Sequence, residues 1–349
     1  MNILFTNAHP YLNVHEAFRL DTLDKLAQKY GFIVFARITS ENFTNYSSFD
    51  FRNTHFSSRG PSFETFKKEV SEIIKKYKPK KVMNNIEYYF PWDAIETDAE
   101  KIYFVRSCMA KLLSVATSIQ GGPPNADVLE KYKNFKQMEE KYLNLSDRVI
   151  TDSPNSKNAI LEMYPQYKPD DISLALEYVN PAKYLDMPVA SNISSTVYSI
   201  GRADYQKGLY NIKQSSLYDV CHIGNRDVDD SVYISSGMHI TGFLTFEQYK
   251  DIIQPLNYGL FPSIWESNGY TVQEAFAMGK IPIIQKNSGG NERHATSENS
   301  IIIDFREKHW DQAILETKDK CRMMQDAAKE TITQKMYEDS LEKWIAVIC

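Results

Sequence analysis

Two α/β domains in tandem, each a doubly wound parallel sheet, are what three features of the 349-residue sequence predict. Short runs rich in β-branched and aromatic residues alternate with longer stretches of helical period, the rhythm of βαβ units in a sheet covered on both faces. That rhythm breaks at residues 181–195, PAKYLDMPVASNISS, which is rich in Pro, Ser and Ala and reads as a linker. The length also exceeds what one core sustains, because cores stop growing at about 250–300 residues.

Taken in order, NILFTNA is the first strand, an amphipathic stretch from Glu16 to Tyr30 closed by Gly31 is the first helix, and FIVFARI is the next strand. KKVMNN, KIYFVRS and RVITDS read as further strands, with helical patterns over Phe63–Tyr77, Asp127–Leu145 and Ser156–Tyr164. Beyond the break TVYSIGR, YDVCHIGN, MHITGF, YGLFPS, IPIIQ and SIIIDF restart the alternation. The last ~40 residues read as wholly helical.

The composition, 42% hydrophobic and 24% charged, is that of a soluble globular chain, and no apolar run approaches the ~18–20 residues of a membrane span. The opening MNILFTNAHP lacks a basic region followed by a long apolar one, so a cytoplasmic location is expected. Cys108, Cys221, Cys321 and Cys349 show no CxxC pair or metal spacing and read as free thiols. The N-x-S/T triplets at Asn42, Asn45, Asn144 and Asn192 then carry no meaning, and the seven histidines form no zinc pattern or hydrolase triad. Residues 1–186 hold 24 Lys+Arg and 24 Asp+Glu, leaving 40 − 24 = 16 against 45 − 24 = 21 beyond them. A nucleic-acid binder usually carries a strongly basic domain, and this chain has at most a local patch.

In a doubly wound sheet ligands bind beyond the carboxyl ends of the strands. YGLFPS runs into a loop carrying Glu266, and a helix expected from Gly269 or Tyr270 carries Glu274 before Gly279 stops it. Free N–H groups around Asn268–Thr271 would suit an anion or a sugar hydroxyl. Each carboxylate accepts bidentate hydrogen bonds from a vicinal diol such as that of ribose or a hexose, although an arbitrary pair of this kind is more often a pair of solvated charges. TVYSI runs into GRADYQKG, where Gly201 allows close backbone approach and Arg202 and Lys207 suit a diphosphate. Together the cation pair and the carboxylate pair suggest a nucleotide-sugar pocket.

GRADYQKG resembles the GR-x4-KG phosphate loop of glycosyltransferase family 4, and PSIWESNGYTVQEAFAMGKIPI followed by SGG resembles that family's E-x7-E signature. HIGN and ITGFL fall between them, where the family has glycine-ended strands bordering the base pocket. The resemblance covers residues 199–292 closely and the first half loosely, through FVRSCMAK, a long helix with Glu139, and LSDRVITDSPNSK. It implies the GT-B fold, two Rossmann-like domains facing across a cleft, with an acceptor-side domain at 1–185, a nucleotide-sugar-binding domain at 186–325 and a final helix at 326–349 crossing back, anchored by Trp344.

The activity that the resemblance implies is retaining transfer of a sugar from a nucleotide-diphosphate sugar, a UDP- or GDP-sugar, to an acceptor hydroxyl, with no metal requirement. Arg202 and Lys207 would neutralise the diphosphate, Glu266 would position the sugar, and Asn268, Gly269 and Tyr270 would present backbone amides. Glu274 would hold the ribose hydroxyls. Gly201, Asn225, Phe243, Ser267 and, in the first-strand loop, Asn13 complete the implied donor contacts. No nucleophile residue is needed, because the departing phosphate takes the acceptor proton. A surface glycan or a lipid-linked acceptor is the commonest use of the family, and some viral relatives glycosylate modified bases in DNA. Alternatives are an epimerase or hydrolase on the same fold, or a non-catalytic nucleotide-sugar binder.

The chain departs from the family at two places. His9-Pro10-Tyr11-Leu12-Asn13-Val14-His15 stands where the family has a glycine pair, and Arg106 stands where many members have an acceptor-side histidine. An arginine is not a base at neutral pH but can hold an anion or the donor sugar. Asp227–Asp230, DVDD, resembles the metal-binding D-x-D of the other glycosyltransferase fold, and reads here as solvated turn carboxylates. Residues 66–82 place Phe66, Val70, Ile73, Ile74 and Tyr77 on one face of an expected helix with lysines elsewhere. Its plain reading is a core-facing helix with a wet basic face, and its functional reading is peripheral contact with a phospholipid surface or a nucleic-acid backbone.

Overall fold

The computed structural model describes residues 1–8, 14–38, 51–58, 60–86, 90–118, 126–224, 237–242 and 244–348. The chain forms two compact units, one of Met1–Leu113, Glu130–Leu176 and Leu341–Cys349, the other of Ser114–Leu129 and Glu177–Ser340. Chain direction changes units at Glu177, ahead of residues 181–195. Val179, Tyr184 and Met187 are buried in the second unit's core, so this stretch is packed rather than a free linker.

The first unit is built on β1 (Asn2–Ala8), β2 (Ile33–Ile38), β3 (Thr54–Phe56), β4 (Lys81–Asn85), β5 (Glu100–Val105), β6 (Arg148–Thr151) and β7 (Ile172–Leu174). They pair in the order β3-β2-β1-β4-β5-β6-β7, parallel throughout. Alternation of side chains sends Leu4, Val34, Ile102 and Phe104 to one face, against Leu20, Leu23 and Ala27 of α1 (Val14–Tyr30). Phe5 and Phe35 go to the other, where Phe35 meets Phe66 of α2 (Phe63–Tyr77). Tyr103 likewise meets Tyr142 of α4 (Ala126–Leu145), and α5 (Pro154–Met163) buries Ala159 and Ile160. A strand buried on both faces is apolar along much of its length, which is why β1, β2 and β5 stand out in the sequence.

Ser62 caps α2 by accepting a hydrogen bond from the Thr65 amide. The helix stops at Tyr77, not at Val82: Lys78 adopts a left-handed conformation ahead of Pro79, and Lys81 and Val82 already belong to β4. The basic stretch 66–82 is therefore a helix end, a turn and a strand rather than one helix. α3 (Met109–Ser118), which the sequence reading omitted, has its first amides held by the fully buried Glu139 of α4. That carboxylate accepts from the Met109 amide at 2.7 Å, the Ala110 amide at 3.2 Å and the Tyr164 hydroxyl at 2.7 Å. Burial and the Glu139 charge push the Cys108 thiol and the Tyr164 phenol well above their ordinary ranges.

The second unit repeats the plan with β8 (Thr196–Ile200), β9 (Asp219–Ile223), β10 (His239–Ile240), β11 (Tyr258–Phe261), β12 (Ile281–Gln285) and β13 (Ile301–Ile303). Their order, β10-β9-β8-β11-β12-β13, is that of the dinucleotide-binding sheet, with the reversal between β8 and β11. Tyr198, Phe261 and Ile284 face α6 (Phe246–Ile253) and α7 (Tyr270–Ala277), while Val197, Leu260 and Ile283 face α8 (Trp310–Thr317) and α9 (Cys321–Thr331). The C-terminal segment is broken by a short 3-10 turn at Lys318–Lys320 and by Ile332–Thr333, ahead of α10 (Gln334–Ile348). Trp344 of α10 lies against Phe104, with ring centroids 4.8 Å apart, and is buried in the first unit's core. Cys108, Cys221 and Cys321 are free thiols.

Candidate functional site

The switch point of the second sheet sets the site. β8 ends at Ile200 and the chain turns through Gly201, whose φ of +131° suits glycine. Asp204 then caps a one-turn 3-10 helix, Tyr205–Lys207, by accepting from the Lys207 amide at 3.1 Å. Gly208 follows at φ +65°, where a Cβ would stand 2.2 Å from the Pro262 carbonyl oxygen. The loop after β8 thus lies directly on the loop after β11. Two further bonds stitch them, from the Ile264 amide to the Gln206 carbonyl at 2.9 Å and from the Gln206 side-chain amide to the Trp265 carbonyl at 3.1 Å. Beneath the first loop His222 is fully buried, its Nδ1 2.8 Å from the Ser199 hydroxyl. Burial holds its pKa down to about 4, opposed by a hydrogen bond with the Gly201 backbone, so the ring is neutral at ordinary pH.

Stitching these loops brings Lys207 and Glu266 together. The ammonium and the carboxylate are 2.6 Å apart, with side chains only 17% and 15% exposed. The resemblance assigns this cation to phosphate and this carboxylate to sugar; in the structure they are one ion pair. Arg202 stands apart, 67% exposed, with its guanidinium 3.2 Å from Asp204. The Lys207–Glu266 pair neutralises its own charge where the two loops meet.

Ser267, Asn268 and Gly269 are buried and Tyr270 is half-buried. Gly269 sits at φ +65° at the start of α7, where a Cβ would stand 2.7 Å from the Gly290 carbonyl oxygen and 2.8 Å from Asn291 Oδ1. Asn268 is held by residues that the sequence reading missed. Its amide nitrogen donates to the Glu177 carbonyl at 2.8 Å, and its Oδ1 accepts from Arg293 at 2.9 Å and from Gln273 at 3.1 Å. The Tyr270 hydroxyl donates to the Glu177 carboxylate at 2.6 Å, and Arg293 also donates to the Tyr178 hydroxyl and stacks over its ring. The Asn268 side chain is thereby spent on the protein, and the Asn268 and Gly269 carbonyls accept, respectively, from the Gln273 side chain and from the Val272 and Gln273 backbone amides.

Glu274, on the second turn of α7, is 9% exposed and enclosed by phenols. Tyr184 donates to its Oε1 at 3.1 Å, and Tyr198 and Tyr249 complete the surroundings. Burial raises the Glu274 carboxyl to about 7, against the hydrogen bond from Tyr184 and the charge of Lys183. The two carboxylates are therefore unlike: Glu266 is ion-paired, whereas burial leaves Glu274 partly protonated near neutral pH.

Asn13, Asn225, Phe243 and Asp227–Asp230 lie outside the described residues. Arg106 follows the carboxyl end of β5 in the first unit, half-buried. Among the described residues no three His, Cys, Asp or Glu side chains gather in a metal-holding group, and no helix is long and apolar enough to cross a membrane.

No protein-family model matches the chain, and no curated protein does. Solved structures do. Sucrose-phosphate synthase from Thermosynechococcus elongatus is 16% identical, with a TM-score of 0.74 over 99% of each chain. HepE from Anabaena, in complex with UDP and glucose, is 13% identical with a TM-score of 0.69, again over 99% of each chain. WaaG, a glycosyltransferase involved in lipopolysaccharide biosynthesis, is 12% identical with a TM-score of 0.68 over 99% of each chain. The chain shares with them the fold of the GT-B glycosyltransferases, two Rossmann-like units with parallel sheets.

Proposed function

We propose that the protein is a retaining glycosyltransferase of family 4 that takes a sugar from a nucleotide-diphosphate sugar. One observation carries the reading. The GR-x4-KG loop and the first glutamate of E-x7-E meet at the switch point of the second sheet, where this fold binds its ligands, with Lys207 2.6 Å from Glu266. The likeness to HepE, whose structures hold UDP and UDP-glucose, supports a uridine donor, and a guanosine donor is the alternative.

In this reading the donor diphosphate draws Lys207 from Glu266, Arg202 turns from Asp204 to the same charge, and Glu266 accepts from the sugar hydroxyls. The amides of Asn268, Gly269 and Tyr270 point at the donor, Ser267 lines it, Gly201 lets the phosphate approach, and Glu274 accepts from the ribose. The bond from the anomeric carbon to phosphate oxygen breaks as the bond to the acceptor oxygen forms, and the acceptor proton passes to the departing phosphate. Fixed charges aimed at that phosphate supply the rate, and no metal is required. Arg106 holds an anionic acceptor or the donor sugar in place of a histidine. The acceptor is a surface glycan or a lipid-linked sugar, the protein works in the cytoplasm, and the lysines of 66–82 favour the inner membrane face.

Product analysis tests this. The protein is incubated with UDP-glucose, GDP-glucose and ADP-glucose, alone and with polysaccharide, lipid-linked sugar or DNA. An acceptor-dependent glucoside with α-configuration at the anomeric carbon is expected. Conversion of the free nucleotide sugar without any acceptor would instead identify an epimerase or hydrolase, and a β-linked product would remove the retaining mechanism.

A further inference from the structure

The hydroxyl of Tyr184 donates to Glu274 Oε1 at 3.1 Å, although the two residues lie 90 positions apart in sequence. Tyr184 closes a short 3-10 turn, Pro181–Tyr184, that follows the point where the chain enters the second unit. Its ring is 3% exposed and lies edge-on to Phe246 of α6, with centroids 5.8 Å apart, so the hydroxyl is delivered to Glu274 from a fixed place. Tyr198 and Tyr249 are as deeply buried around the same carboxylate, and their hydroxyls meet no hydrogen-bond partner among the described residues. Three phenols therefore surround one carboxyl, and one of them holds it.

We infer that Tyr184 is a positioning residue for the donor, setting the orientation of the Glu274 carboxylate that receives the ribose hydroxyls; the inference rests on the glycosyltransferase reading above. A glutamate on a helix has several rotatable bonds, and a carboxylate that wanders gives up the geometry of a bidentate contact with a diol. Pinning one oxygen removes that freedom before the donor arrives, which is preorganisation in the ordinary sense. Tyr184 also favours the ionised form, since a donor hydrogen bond stabilises a carboxylate. Lys183 on the same turn acts in the same direction, whereas burial, with Tyr198 on β8 and Tyr249 on α6 in the surroundings, acts against it.

The test compares ribose with deoxyribose. Dissociation constants are measured for UDP-glucose and GDP-glucose and for their 2′-deoxy and 3′-deoxy forms, with the whole protein, Tyr184→Phe, Tyr249→Phe and Glu274→Gln. A hydroxyl bonded to an ionised buried group discriminates about 10–100-fold, so the wild type should prefer the ribose donor by that factor. In Tyr184→Phe that preference should fall to a few-fold, and the pH at which donor affinity rises should move upward, because the carboxylate has lost a stabilising donor. Tyr249→Phe makes the same chemical change in the same core and should keep the wild-type preference, so a melting temperature matched between the two variants separates positioning from packing. A wild-type preference retained in Tyr184→Phe overturns the inference. Absence of binding to every nucleotide sugar, or a ribose preference that survives Glu274→Gln, overturns the donor reading beneath it.

Discussion

In the proposed donor site, Glu274 combines a cost of burial with the role of accepting from ribose. Its folded pKa of about 7 stands above the ordinary 4.5, so the folded state holds the proton more tightly than the unfolded chain does. The corresponding stability is present below about pH 4.5 and is lost as pH rises through about 7, an amount of about 3 kcal/mol. Glu274→Gln should remove that slope: between about pH 5 and about pH 8 the wild type should lose stability relative to the variant in denaturant titrations. A constant difference across that range would contradict the burial argument. Donor affinity should run the opposite way, rising with pH as the carboxylate forms.

Lys207 and Glu266 were legible one by one, because GR-x4-KG and E-x7-E are local patterns. Their direct contact was not, since it depends on Gly208 letting one loop settle on the Pro262 carbonyl of the other. Tyr184, Glu177 and Arg293 left no signal at all. Tyr184 lies 90 positions from Glu274, and Glu177 lies 91 from Asn268, so only the folded chain brings them together.

At the level of elements, burial decides what could be read. β1, β2, β5, β11 and β12 are buried along most of their length and carry the apolar runs ILF, IVFA, IYFV, GLF and IPII. β3 and β7 are three-residue edge strands, THF and ISL, too short for any period to show. α3 escaped notice because the cap of its first amides is supplied by Glu139, 30 positions away, rather than by a local serine or aspartate. Glu139→Ala should strand the Met109 and Ala110 amides in the interior and cost about 2–4 kcal/mol of unfolding free energy. Glu139→Gln, which keeps an acceptor, should cost less. Equal losses for the two variants, measured by urea titration, would show that the capping bonds are not what the residue provides.

For the whole molecule, the sheet orders β3-β2-β1-β4 and β10-β9-β8-β11 carry the same reversal, so each unit has its own switch point. The tandem plan was visible from rhythm and length. The place where the chain changes units was not, because the Pro- and Ser-rich composition of 181–195 resembles a linker while Tyr184 and Met187 within it are core residues. Trp344 returns the C-terminal helix to the first unit's core beside Phe104. Trp344→Ala should cost about 3–5 kcal/mol, and the loss should fall on the first sheet. Amide exchange in β1, β4 and β5 should then quicken while β8, β11 and β12 keep their protection. Equal loss in both sheets would contradict the assignment of that helix end.

In the proposed reaction Lys207 leaves Glu266 to bind a donor diphosphate. This step is tested most directly by titrating UDP-glucose and GDP-glucose calorimetrically into the wild type and into Lys207→Ala. The wild type should bind at least one of them, and the substitution should weaken binding by about 10–100-fold, the loss of one charge-assisted contact to phosphate. Binding of equal strength in the two proteins, or of neither ligand to the wild type, would contradict it.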